Sequence, residues 1–155
     1  MRRFAFVIGM VSTTLLSIGG CGKKESGSDG NAAYSGDSRL EGTYTLVATE
    51  MGGVSTQEFE KDRNYEFSGN KMISPKGKKE EAATINCDPA KTPAEIAITK
   101  TEASGKIDNF FGIYKLENGT LTLCMIKTDN PTDRPKEFTT NKDSKAIILV
   151  MKKTK

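Results

Sequence analysis

Three cysteines, Cys21, Cys87 and Cys124, are the chain's soft nucleophiles, and there is no histidine to activate them. A thiol becomes a catalyst only when a neighbouring base or cation holds it as thiolate. The missing imidazole also excludes histidine general-base chemistry, a Ser-His-Asp triad and histidine-held metals. Glu58, Glu60, Asp62, Glu80 and Glu81 supply carboxylates, but at no spacing that dictates paired acid–base work or a calcium loop. They read as solvated faces. No catalytic residue, metal site or cofactor is expected, and the chain reads as a non-enzyme.

Cys21 differs because of what precedes it. Arg2 and Arg3 form a positive start, and residues 4–16 (FAFVIGMVSTTLL) are mostly apolar. That run is shorter than the roughly 20 apolar residues needed to span a bilayer and suits the core of an export signal. Ile18-Gly19-Gly20-Cys21 then resembles the bacterial lipobox, with a branched apolar residue and two small ones before the cysteine. Small side chains let the backbone enter the signal peptidase extended, and the thiol becomes the thioether to diacylglycerol. Cleavage frees the cysteine's amino group for acylation, and more than one acyl chain gives stable anchoring. Residues 1–20 therefore read as a lipoprotein signal peptide and Cys21 as the lipid-attachment site. The expected partner is a membrane, reached through the lipidated N-terminus. Gly22 lacks the aspartate that marks inner-membrane retention in some bacteria, so the outer membrane is the default location.

Removing residues 1–20 takes Arg2 and Arg3 from the 23 basic residues, leaving 21 against 20 acidic ones. Phosphate binding wants a concentrated basic face, so no nucleic-acid partner is expected. Residues 21–38 hold Cys21 and a linker rich in Gly, Ser and charge. Such a composition cannot bury a core and reads as a flexible tether with a reach of about 20–24 Å. Residues 39–155 are left for one modest folded domain.

Within that domain short runs of β-branched and aromatic residues alternate with turn signals. Eight strands are expected, near 42–49, 65–67, 71–74, 80–87, 95–101, 109–116, 120–127 and 146–151. Gly69-Asn70 and Asn118-Gly119 read as hairpin turns. A short helical turn is expected around Glu58-Phe59-Glu60. The fifth of these runs puts Ile96 and Ile98 on one face; the seventh puts Leu121, Leu123 and Met125 on one face and Cys124 on the other. The fourth leaves its register open, with either Ala82, Thr84 and Asn86 or Ala83, Ile85 and Cys87 inward. Ala146–Met151 is apolar on both faces and should be covered. Short strands joined by tight turns predict an all-β fold, an eight-stranded antiparallel up-and-down barrel or else a sandwich.

Several ordered motifs resemble a family of small exported domains of unknown function that recurs in planctomycete bacteria. They are Leu40-Glu41-Gly42-Thr43-Tyr44, Asp88-Pro89 with Pro93 and Ile96, Gly112-Ile113-Tyr114, Leu121-Thr122-Leu123-Cys124, and Arg134-Pro135-Lys136-Glu137-Phe138. Tyr44 replaces the family's usual tryptophan. The opening also looks like the first strand of lipocalin-type barrels, in which an arginine packs over that aromatic residue. This likeness implies a lipocalin-like barrel with Arg134 over Tyr44, and it implies no chemistry.

Tyr44, Phe111, Tyr114 and Met125 are the residues expected to line an apolar cavity, with Arg134 joining them by that likeness. The first functional expectation is a small apolar ligand inside the barrel. The alternative is a structural or protein-interaction module with a packed interior and an envelope protein as partner. An oxidising envelope invites a Cys87–Cys124 disulfide, but the two lie on non-adjacent strands, so a buried, inert Cys124 is the stronger expectation.

Overall fold

The computed structural model describes residues 35–56, 63–76 and 79–155. The lipobox with Cys21, the signal peptide and the helical turn expected around Glu58-Phe59-Glu60 lie outside the described residues. After a single 3-10 turn at Ser38–Leu40, the strands are β1 (Gly42–Met51), β2 (Val54–Thr56), β3 (Asn64–Ser68), β4 (Lys71–Lys76) and β5 (Lys79–Asp88). They continue with β6 (Ala94–Thr101), β7 (Ile107–Glu117), β8 (Thr120–Lys127) and β9 (Ile147–Lys153). Every neighbouring pair is antiparallel, and β9 returns to pair with β1. Eight long strands thus close into an up-and-down barrel, which leaves none of them as an exposed edge.

β2 is the strand the sequence does not announce. Its three residues pair with Thr49–Met51 on the edge of β1 that β3 occupies lower down. A Gly52-Gly53 turn lets the chain fold straight back there. Val47 bulges out of the β1–β9 ladder, where pairing jumps from Leu46 to Ala48. The bulge reverses the alternation of β1. Tyr44 and Leu46 point inward below it, whereas Thr49 shares the inner face with Leu149 above it.

The other strands keep a clean period of two. The inward set on β5 is Ala83, Ile85 and Cys87, which resolves its open register in favour of the apolar choice. Ile96 and Ile98 on β6, Tyr114 on β7, and Leu121, Leu123 and Met125 on β8 complete that core. The Asn118-Gly119 turn has φ of 49° and 76°, the double left-handed geometry of a tight hairpin. On β7, Gly112 permits a close approach. A Cβ there would meet the Cys124 carbonyl oxygen at 2.5 Å and Met125 Cβ at 2.8 Å.

Outside the barrel, the loop between β8 and β9 lies over the sheet. Phe138 packs on a second cluster of Ile113, Cys124, Ala146 and Ile148. Thr140 Oγ1 donates to Glu50 Oε1 at 2.6 Å and accepts from the Gly53 N–H at 2.9 Å, which pins the loop to the β1–β2 corner. This cover is why the last strand is apolar on both faces.

Candidate functional site

The up-and-down order gathers alternate connections at opposite ends of the barrel. One end carries the chain entry at 35–41, the turns at 69–70, 89–93 and 118–119, and residues 152–155. Backbone bonds tie these pieces together: Cys87 N–H donates to the Ser35 carbonyl, Thr43 N–H to that of Lys155, and Lys153 N–H to that of Gly119.

This end is closed by its own chain. Asp37 caps the 3-10 turn, its Oδ1 accepting from the Arg39 N–H at 3.0 Å. The turn drives Leu40, 1 % exposed, into the barrel. The Asp37 carboxylate also takes the Arg39 guanidinium, at 3.0 Å and 2.6 Å to Oδ2, and the Tyr114 hydroxyl at 2.5 Å. The Arg39 guanidinium holds the buried Asp37 carboxyl down at about 2, against an opposing push from burial and with help from Tyr114. Burial and the same carboxylate raise Tyr114. Burial pushes the Cys87 thiol, packed in this floor, up to about 11. Tyr44 meets Phe67 edge to face at 5.5 Å, with the Lys153 ammonium 5.6 Å above its ring. Its hydroxyl is buried and has no hydrogen-bond partner among the described residues.

The interior differs from floor to mouth. In the floor half Tyr44, Leu121, Leu123 and Met151 are 0 % exposed. Towards the far end Met125 rises to 9 %, and Phe110 and Leu149 are only partly buried against the core. Met51, at the top of β1, is 56 % exposed. Around this apolar cup stand ion pairs. Lys100 pairs with Glu81, and Asp108 accepts from Lys127 at 2.6 Å and meets Lys106 at 3.1 Å. The two lysines keep the Asp108 carboxyl low, Lys127 first.

The residues singled out from the sequence divide between the two faces of the sheet. Tyr44 and Tyr114 lie in the floor and Met125 in the wall, all inside. Phe111 and Arg134 lie outside together, the guanidinium 5.7 Å from the Phe111 ring and paired with Glu95. Arg134 over Tyr44 is therefore corrected: the cation over Tyr44 is Lys153, because the loop bearing Arg134 covers the outer surface. Arg134 helps line an outer groove of about 430 Å³ with Pro93, Ile113 and Pro135, and its Nε is buried without a partner. Cys87 and Cys124 are both free and buried, the first in the barrel interior and the second beneath the outer loop, so no disulfide joins them. Burial raises the Cys124 thiol as well.

Sequence reasoning missed Asp37, Arg39 and Leu40 as the plug, and Phe110 and Leu149 as the cup. An Asp two residues before an Arg and three before a Leu was a signal for the cap, but its setting looks like tether. No protein-family model, curated protein or solved structure matches this chain.

Proposed function

We propose that this chain is an exported, lipid-anchored envelope protein whose barrel carries a small apolar or amphipathic molecule, acting by binding and not by catalysis. The anchor in this reading is Cys21, and the seat is the mouth half of the interior. The supporting observation is the change along the barrel, from a floor with 0 % exposure at four large side chains to Met125 at 9 % and Phe110 and Leu149 only partly buried beside charged side chains. The raised thiols and the absence of histidine argue on the same side, because neither cysteine is poised as a nucleophile.

Native mass spectrometry of protein extracted from its membrane should reveal a co-purifying small molecule. An apolar naphthylamine probe should bind the emptied barrel and be lost in Phe110→Asp. A clean apo mass together with no probe binding sinks the carrier reading. A second reading, a protein-interaction module, draws on the outer groove at Pro93, Arg134 and Pro135; it predicts that Arg134→Ala abolishes a partner contact while probe binding persists.

A further inference from the structure

The closed end has a charge pattern that the carrier reading does not use. Its connections hold seven cationic side chains: Arg39, Lys71, Lys91, Lys115, Lys152, Lys153 and Lys155. Their acidic counterparts at this end are Asp37, Glu41, Glu66, Asp88 and Glu117. Two of these are already neutralised, Asp37 by Arg39 at 2.6 Å and Glu117 by Lys115 at 3.2 Å. Asp88 is turned toward its own loop, with Oδ1 accepting from the Ala90 N–H at 3.1 Å. What faces outward is Lys71, Lys91, Lys152 and Lys155, all exposed, against Glu41 and Glu66, while the Lys153 ammonium lies over Tyr44.

The far end is arranged otherwise. There Lys100, Lys106 and Lys127 are each held by Glu81 or Asp108. Arg63, Lys76, Lys79, Lys142 and Lys145 also lie towards that end, but among the described residues Glu50, Glu80, Glu81, Glu102, Asp108, Asp129, Asp133 and Asp143 match its cations in number, so the excess of positive charge falls on the closed end of a domain whose folded part is close to neutral overall.

That end is also where the chain enters. Ser35 is hydrogen-bonded to Cys87, and Asp37 is fixed inside the floor, so the entry point is clamped and not a loose hinge. Any membrane attachment through the N-terminal segment therefore pulls this end, and no other, toward the lipid.

We infer that the closed end is a docking face for an anionic lipid surface, with the lysines seated among headgroup phosphates and the ligand mouth directed away from the membrane. The inference rests on the anchored reading above but concerns a different contact. Juxtamembrane lysines are drawn to anionic leaflets, and the attraction decays within a Debye length, about 8 Å at physiological salt. The exposed side chains at this end are long lysines, which can reach headgroups while the barrel stays in water. The floor behind them is rigid and sealed, so the contact needs no opening of the barrel.

The test uses the processed, lipidated protein reconstituted in two kinds of vesicle, pure phosphatidylcholine and phosphatidylcholine with one-third phosphatidylglycerol. Hydrogen–deuterium exchange is followed in the turn at 89–93 and in residues 152–155. Exchange there should slow about three-fold or more in the anionic vesicles alone, and should return to the neutral-vesicle rate in 0.5 M salt. The far-end segment 102–107 should not respond. The triple variant Lys91→Glu, Lys152→Glu and Lys155→Glu, all on exposed positions, should lose the protection while keeping the wild-type melting temperature.

Co-sedimentation with the neutral vesicles reads the anchor separately. If the protein sediments with them but lipid charge leaves 89–93 and 152–155 unchanged, the docking face is refuted and the anchor stands. If sedimentation with neutral vesicles fails but anionic vesicles still protect those segments, the anchor falls and the docking face stands. Protection by soluble polyglutamate and not by anionic vesicles would assign the lysines to an acidic protein and overturn the inference.

Discussion

The floor and the mouth of this barrel are built by the same eight strands with the same inward alternation, yet they are finished in different ways. At the floor the chain plugs itself: Asp37, Arg39 and Leu40 fold under the barrel, and Tyr114 ties the plug to β7. At the mouth the inward positions of β5 to β8 end in charged residues, Glu81 with Lys100 and Asp108 with Lys127, beside partly buried apolar side chains. The contrast separates two duties. Burial that stabilises the fold is concentrated where the chain is sealed, which leaves the other end free to trade packing for access.

The largest expected effect follows from that division. Leu123, 0 % exposed, lies one inward position from Met125, 9 % exposed, on the same strand. Leu123→Ala leaves a cavity in a sealed floor and should cost about 3–4 kcal/mol, whereas Met125→Ala opens onto the accessible half and should cost about 2 kcal/mol or less. Urea unfolding of the two variants measures the difference. Equal losses would mean that the interior is packed alike at both ends, and the comparison would collapse. Met125→Ala should also weaken probe binding, while Leu123→Ala, as long as it folds, should not.

The next effect concerns the plug alone. Asp37 stands near 2 against an ordinary value of 3.8, chiefly because of Arg39. A depressed carboxyl stabilises the fold fully above its unfolded value and loses that contribution as pH falls through its folded one. The window therefore runs from about pH 4 down to about pH 2. The shift corresponds to about 2 kcal/mol, at 1.36 kcal/mol per pH unit. Asp37→Asn should lower stability by about that amount at neutral pH and flatten the acid limb between pH 4 and pH 2. An unchanged acid limb would show that the plug contributes nothing to closing the floor. The mouth carboxylate Asp108 meets exposed lysines that are screened by solvent and salt, so Asp108→Asn should move stability less than Asp37→Asn does.

The barrel was legible in the sequence because its signals are local and periodic. Eight runs of β-branched and aromatic residues, with Asn118-Gly119 between two of them, dictate strands and a hairpin whatever lies elsewhere. Less legible were the features that depend on distant closure. The Val47 bulge reverses the faces of β1 only because β9 arrives with its own register. Asp37 looks like tether because its meaning comes from Tyr114, seventy-seven residues away. Periodicity gives Phe111 two possible faces without saying which is inside, and Arg134 enters the cavity reading only through the likeness to lipocalin-type barrels. Adjacent residues on β7, Phe110 and Phe111, face opposite ways, and the inward one belongs to the cup. Met125 lies on the inward set that the alternation of β8 made visible.

The smallest effect has the opposite sign and divides the floor itself. Two tyrosines stand there, and their hydroxyls have unequal fates. Tyr114 donates to Asp37 at 2.5 Å, while the Tyr44 hydroxyl is buried with no partner among the described residues. A buried hydroxyl without a bond forfeits its hydration and recovers nothing, so Tyr44→Phe should raise stability by up to about 1 kcal/mol. The ring stays, and with it the edge-to-face contact to Phe67 and the Lys153 ammonium above it. Tyr114→Phe removes a donor from a buried carboxylate and should cost about 1.5–3 kcal/mol. Chemical denaturation of both variants and of their combination gives three differences. Because the two hydroxyls share no hydrogen bond, the combined effect should be close to the sum. A loss of stability in Tyr44→Phe would mean that its hydroxyl does find a partner, and the floor would then hold two anchored tyrosines in place of one.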